Sequence, residues 1–101
     1  MNIDTLLKLV GTERDNAMLR LTLARLLAAN DELEQAETHL EAAVGMERNY
    51  TAAWKELGKV RQQNGDSSGA AQAWQEGIRQ ARANGDKQAE KEMTVFLKRI
   101  T

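Results

Sequence analysis

Apolar residues recur along this chain at intervals of three and four, the period of amphipathic helices rather than strands. Ile3, Leu6, Leu7 and Val10 lie on one face and predict a short first helix within residues 1–11. Asp4 suits its first turn and Gly11 its stop. Leu19, Leu23, Leu26 and Leu27 form the inward stripe of a second helix ending near Ala29, with Met18 and Leu21 off the stripe. Thr12 or Asp15 is its cap. After an Asn30-Asp31 turn, Leu33, Ala36, Leu40, Ala43 and Val44 mark a third helix, and Gly45 and Asn49 its exit. The alternation then repeats. Trp54, Leu57 and Gly58 lie on a fourth helix, and Asn64-Gly65-Asp66 makes the turn. Ala70, Trp74, Gly77 and Ile78 lie on a fifth, with Ser67 or Ser68 at its start. Beyond Asn84-Gly85, Asp86 caps a last helix whose apolar face is Ala89, Met93, Phe96, Leu97 and Ile100. Its acids Asp86 and Glu90 stand early and Lys98 and Arg99 late, matching the helix dipole.

A shift of about 34 residues lays the second and third helices on the fourth and fifth. Leu23 falls on Leu57, Ala24 on Gly58, Asn30 on Asn64, Ala36 on Ala70, Leu40 on Trp74 and Val44 on Ile78. Few positions are identical, but small residues stand where antiparallel helices must touch and bulky ones where they leave gaps. The run Trp54-x-x-Leu57-Gly58, then Ala70, then the aromatic Trp74, resembles the tetratricopeptide repeat.

That resemblance implies an all-α fold, a right-handed α-α superhelix of stacked helical hairpins in one domain. Residues 1–11 are then an N-terminal helix, 15–48 a degenerate first repeat, 50–84 a second repeat and 86–101 a closing helix. Arg20 stands where the family has a tryptophan, Arg61 where it has an aromatic and Gly77 where it has an alanine. Gly77 is expected to loosen its helix by about 1 kcal/mol. Trp54 is expected in the core between the helices of its own repeat, and Trp74 at the seam to its neighbours.

Composition narrows the picture. The chain is 42% hydrophobic but only 4% aromatic, so its core is aliphatic and alanine-rich, which suits helices over a sheet. With no proline, nothing forbids helix at any position. Fourteen basic and 15 acidic residues leave a net charge of -1, which argues against a nucleic-acid or membrane surface. A helix-turn-helix reader of DNA is disfavoured too, because the second helix of each pair opens with Asp, Glu or Ser. With no cysteine there is no disulfide and no thiolate chemistry. No apolar run approaches the ~20 residues of a membrane span, and the first residues lack the features of a secretory signal. A soluble, cytoplasmic protein is the expectation.

Candidate chemistry is sparse. His39 is the only histidine, and Glu37 and Glu41 lie two residues away on other helix faces, so a solvent-facing or rim position is expected. Gly65-Asp66-Ser67-Ser68-Gly69 lacks the lysine and preceding strand of a phosphate loop. No nucleophile stands at helical spacing from a base. The expectation is a protein that is not an enzyme, with no metal and no cofactor.

What remains is binding. In the resembling family the first helix of each repeat lines a concave groove that holds a protein or peptide segment. Carried over by position, that face comprises Met18, Leu21, Arg25, Ala28 and Ala29, then Ala52, Lys55, Lys59, Gln62 and Gln63, with Glu90 or Met93 from the last helix. Arg25, Lys55 and Lys59 would converge on an acidic segment. Alternatively they are ordinary solvated charges. The asparagines with which some members hold a terminal carboxylate are absent from the matching positions. A different class of function is open as well. Leu9, Met18, Leu21 and Met46 could form an apolar patch at the N-terminal edge through which the domain self-associates as a homo-oligomer.

Overall fold

The computed structural model describes residues 2–101 and contains six helices. They are α1 (Ile3–Leu7), α2 (Ala17–Ala29), α3 (Leu33–Met46), α4 (Thr51–Gln63), α5 (Ser67–Asn84) and α6 (Lys87–Ile100). Among the described residues there is no strand. α2 and α3 form one antiparallel hairpin and α4 and α5 the next, and α6 closes against α5. The overall extents are 37 × 29 × 19 Å, and the short one matches two helix layers of roughly 10 Å each. Within the inner layer α4 touches both α2 and α6, whereas α3 and α5 do not meet in the outer one. The inner layer is therefore the concave side of a right-handed α-α superhelix.

Local chemistry sets the helix ends. Each hairpin turn ends on an asparagine followed by a residue in the left-handed region: Asp31 (φ 63), Gly65 (φ 83) and Gly85 (φ 73). In each, the next N–H reaches back to the carbonyl five residues earlier, Glu32 to Leu27, Asp66 to Arg61 and Asp86 to Ala81, closing a Schellman-type cap. Asn16, not Thr12 or Asp15, caps α2, its Oδ1 accepting from the Leu19 N–H at 2.7 Å. Asp15 is engaged elsewhere, accepting from the Gly11 N–H and from Arg20. Asp66, not Ser67 or Ser68, caps α5, accepting from the Gly69 N–H at 2.8 Å, and Asp86 caps α6 through the Ala89 N–H. α1 is shorter than its apolar spacing predicts. After Leu7 the chain makes i to i−3 turns, and at Gly11 it takes a φ of 81° that favours glycine.

The core runs through both hairpins. Leu23, Leu40, Ala36, Ala43, Ala53, Ala70, Ala81 and Met93 are fully enclosed, and Leu6 of α1 covers the open end of the stack. The two indoles are buried wedges. Trp74 is 1% exposed, lies against Gly58 of its own hairpin and meets Phe96 of α6 with ring centroids 5.4 Å apart. A methyl group at Gly58 would fall 2.1 Å from Trp74 Nε1, so the glycine is the recess that admits the indole. Trp54 runs toward the α3–α4 connection, where its Nε1–H donates to the Arg48 carbonyl at 2.7 Å. Gly77 is no slack point. Its Cα position faces Met93 Sδ and Trp54 Cβ so closely that an added methyl would sit 2.4 and 2.9 Å from them.

Where the family has aromatics, Arg20 and Arg61 serve as clasps. Arg20 donates to both Asp15 oxygens (Nε 3.0 Å, Nη2 2.8 Å) and to His39 Nδ1 at 3.2 Å, joining the loop, α2 and α3. Arg61 donates to Glu37 at 3.0 Å and Glu41 at 3.1 Å on α3 and to the Gly69 carbonyl on α5.

Candidate peptide-binding groove

The groove candidates sit on the inner helices α2, α4 and α6, whose apolar stripes are turned toward the outer layer and whose opposite faces are left to the concave side. Arg25 is just over half exposed, and its Nε lies 3.8 Å from Glu56 Oε1 on α4. Lys59, one turn beyond Glu56, brings its Nζ to 3.9 Å from the same oxygen. One carboxylate thus stands between two cations. Lys55 is engaged differently, with Nζ 3.2 Å from Glu92 Oε1 across the α4–α6 seam. Gln62 is exposed and shares with Lys59, Gln63, Trp74, Phe96 and Arg99 a hollow of about 390 Å³.

Two of the sequence candidates lie elsewhere. Leu21 is 3% exposed and belongs to the core. α2 buries two stripes, Ala17/Leu21/Ala24 and Leu23/Leu27, because it is covered by α1, α3 and α4 at once. A single-stripe reading of the helix leaves Leu21 outside. Met18 is 68% exposed but borders Leu6, Leu9, Leu19 and Thr22 in a separate hollow of about 280 Å³, at the N-terminal edge. Of the two α6 candidates, Met93 is fully buried and Glu90 turns to Arg82 of α5 at 2.7 Å.

The residues that sequence reasoning missed are Glu56, Glu92, Phe96 and Arg99. Glu56 carried a signal, since it stands at i−3 from Lys59, a spacing that pairs charges on a helix. Glu92, Phe96 and Arg99 carried none, because their place depends on the stagger of α6 against α4. Lys59 Nζ also sits 5.5 Å above the Phe96 ring centroid, a cation–π distance.

Arg20 and the Gly11 N–H hold the Asp15 carboxyl down at about 2. His39 is half-buried, at the rim, and both burial and the neighbouring Arg20 push its pKa below the ordinary value. Because a guanidinium only donates, His39 Nδ1 must accept, which fixes the neutral ring with its proton on Nε2. Among the described residues no three His, Cys, Asp or Glu side chains gather as a metal site, and no helix is long and apolar enough to cross a membrane.

Comparison with known proteins places this geometry. No model of a known protein family matches the sequence. A TPR repeat-containing protein of Pseudomonas aeruginosa is 46% identical over 100 residues, which span 99% of this chain and 95% of the relative. The solution structure of a Bordetella parapertussis protein is 39% identical and superposes with a TM-score of 0.83, covering 99% of this chain and 87% of that one. The crystal structure of a tetratricopeptide repeat domain protein from Salinibacter ruber shares the fold, with 21% identity and a TM-score of 0.78 over 85% of this chain and 96% of that one. A whole-length relative at this identity, together with the stacked hairpins, makes the chain a member of the tetratricopeptide repeat family, whose members are in general protein–protein interaction modules.

Proposed function

We propose that this domain is a non-enzymatic binding module whose concave face, formed by α2, α4 and α6, holds an acidic peptide or protein segment. The observation that carries the reading is the shortage of carboxylate there. Arg25 and Lys59 share the single Glu56, so a second carboxylate, supplied by a ligand, would complete the set. Lys55 contributes less to an acidic ligand, because Glu92 already neutralises it. The test is charge reversal of Arg25 and Lys59 together. Proteins recovered from cell extract on the native domain are then lost, while the melting temperature stays put, since exposed pairs of this kind are worth roughly 0–1 kcal/mol each. Undiminished recovery on the Arg25→Glu, Lys59→Glu variant would remove the site.

A second reading has its own support. Among the described residues Met18 is the most exposed of the large apolar side chains, and it stands beside the hollow edged by Leu6, Leu9 and Leu19. Such a patch suits self-association through the N-terminal edge, although Leu21 is enclosed and adds nothing to it. Light scattering over a concentration series separates the two readings: a rise in mass that Met18→Ser abolishes supports self-association, and a constant monomer mass rejects it.

A further inference from the structure

The two ends of the α4–α6 seam differ in charge. At the N-terminal ends of these helices, a hollow of about 210 Å³ has one cation, Lys55, beside two acids, Asp86 and Glu92. Glu92 holds Lys55, while Asp86 accepts from the Thr51 hydroxyl at 3.1 Å and from the Ala89 N–H. Every charge there is met. At the C-terminal ends, the larger hollow has two cations, Lys59 and Arg99, and no acid in its lining. Among the described residues Arg99 has no carboxylate within ion-pair distance, and Lys59 has only the outlying Glu56. The α4 carbonyls nearby do not supply the missing negative charge, because those of Val60, Arg61 and Gln62 accept from Asn64, Asp66 and Gly65.

The same hollow has an apolar base. Phe96 is partly exposed within it and leans on the buried Trp74 ring. About 390 Å³ is more than a single carboxylate fills and lies at the low end of the range for small-ligand pockets. The amides of Gln62 and Gln63 at the rim offer both donors and acceptors, the complement of a peptide backbone that continues past the site rather than of a chain end.

We propose that this hollow is a subsite for an internal acidic residue of a peptide flanked by an aromatic or large aliphatic neighbour, with the acid on Lys59 and Arg99 and the apolar side chain on Phe96. The inference rests on the groove reading above and deepens it, pairing Lys59 with Arg99, rather than with Arg25 or Lys55, for the anionic contact. Charge complementarity decides this choice. An acid arriving at Lys55 must displace Glu92 at 3.2 Å beside Asp86, whereas one arriving between Lys59 and Arg99 meets no acid in the lining and competes only with Glu56, 3.9 Å from Lys59.

The test uses a blocked hexapeptide with adjacent Glu and Phe, acetylated and amidated so that it has no charged ends. Matched peptides carry Gln for Glu, Ala for Phe, or a free C-terminus as their only carboxylate. Each is titrated into the isotopically labelled domain and followed by amide shifts and by the Trp74 indole N–H, which is tied to the Lys55 carbonyl beneath the seam. The Glu-Phe peptide is expected to bind tightest and to shift residues of the last turns of α4 and α6. Arg99→Gln weakens it about threefold to tenfold, the range of a partly exposed ion pair, and Lys55→Gln leaves it unchanged. Equal binding of the Gln peptide, tighter binding of the free C-terminus, or indifference to Arg99→Gln overturns the subsite. If Arg25→Gln or Lys55→Gln weakens binding instead, the groove reading stands and this one falls. If no peptide at millimolar concentration shifts any residue of α2, α4 or α6, both fall.

Discussion

Hairpins α2–α3 and α4–α5 are related by a shift of about 34 residues, yet different chemistry holds each together. Trp54 in the second answers to Arg20 in the first, Trp74 to Leu40, Gly58 to Ala24, Gly77 to Ala43 and Gly65 to Asp31. The exchanges come in pairs. Where the outer helix carries an indole, the inner helix gives up its Cβ, because Gly58 leaves no room for even a methyl beside Trp74. Where the outer helix carries leucine, the inner one keeps alanine, and both are fully enclosed. At Arg20 the wedge becomes a clasp, with a guanidinium bridging Asp15 and His39 in place of a ring filling space. The repeat specifies a summed volume between helices, and either an aromatic with glycine or an aliphatic with alanine supplies it.

The largest effect that would break this comparison is at Trp74. Trp74→Ala is expected to cost about 3–5 kcal/mol, read as a lowered urea midpoint and melting temperature by circular dichroism. A loss below about 1 kcal/mol would mean that the indole is not the wedge of the second hairpin. Gly58→Ala comes next, at about 1–3 kcal/mol, because the added methyl overlaps the indole. Joined with Trp74→Leu it recreates the Ala24–Leu40 arrangement of the first hairpin. The double variant should therefore be more stable than the sum of the single losses predicts, by roughly 1 kcal/mol or more. Strict additivity would show that the two hairpins do not trade volume in pairs.

Much of this was legible from spacing. The hairpins, the small-against-large matching and the Asp86 cap rest on residues close in sequence, where period and propensity speak directly. The inner-helix cations were legible for the same reason. Leu21 was not, because periodicity marks an apolar face but not how wide an arc the neighbours cover, and α2 has neighbours on three sides. Gly77 read as a weakness because helix propensity is local, while its role is to let Met93 and Trp54 approach. Glu92 and Arg99 were hidden because the register of α6 against α4 comes from the superhelix and no single helix encodes it.

The turns sharpen the comparison with a smaller effect of opposite sign in each hairpin. Asp31 takes the left-handed conformation that glycine takes at Gly65 and Gly85. A Cβ in that region strains against the backbone, though aspartate tolerates it better than most. Asp31→Gly is expected to raise stability by about 0.5–1 kcal/mol despite the added freedom of the unfolded chain, and Gly65→Asp to lower it by a similar amount. Equal signs for the two exchanges would mean that something other than φ decides at these turns, and chemical denaturation resolves a difference of this size.

The smallest effect isolates the clasp of the first hairpin that holds an imidazole, Arg20 between Asp15 and His39. In the folded chain His39 is neutral, its Nδ1 accepting from Arg20, with burial and that guanidinium both holding its pKa down. Below about 6.5, the ordinary value, the unfolded chain takes up a proton that the folded chain resists, so folding stability falls as the pH drops from 7 toward the lowered folded value. Asp15 contributes in a separate window. Its carboxyl sits at about 2 against an ordinary 3.8, so its share is present in full above that ordinary value and is lost as pH falls from there through about 2. Since His39 is the only imidazole in the chain, a melt series between pH 7.5 and 5.5 reads the clasp alone, free of the carboxylates. His39→Gln keeps an acceptor for Arg20 without a titrating group, and its melting temperature is expected to be flatter across that window than the native one. An identical slope in the two proteins would mean that the imidazole reorganises away from Arg20 on protonation, and that the first hairpin is held by aliphatic packing as fully as the second is held by its indoles.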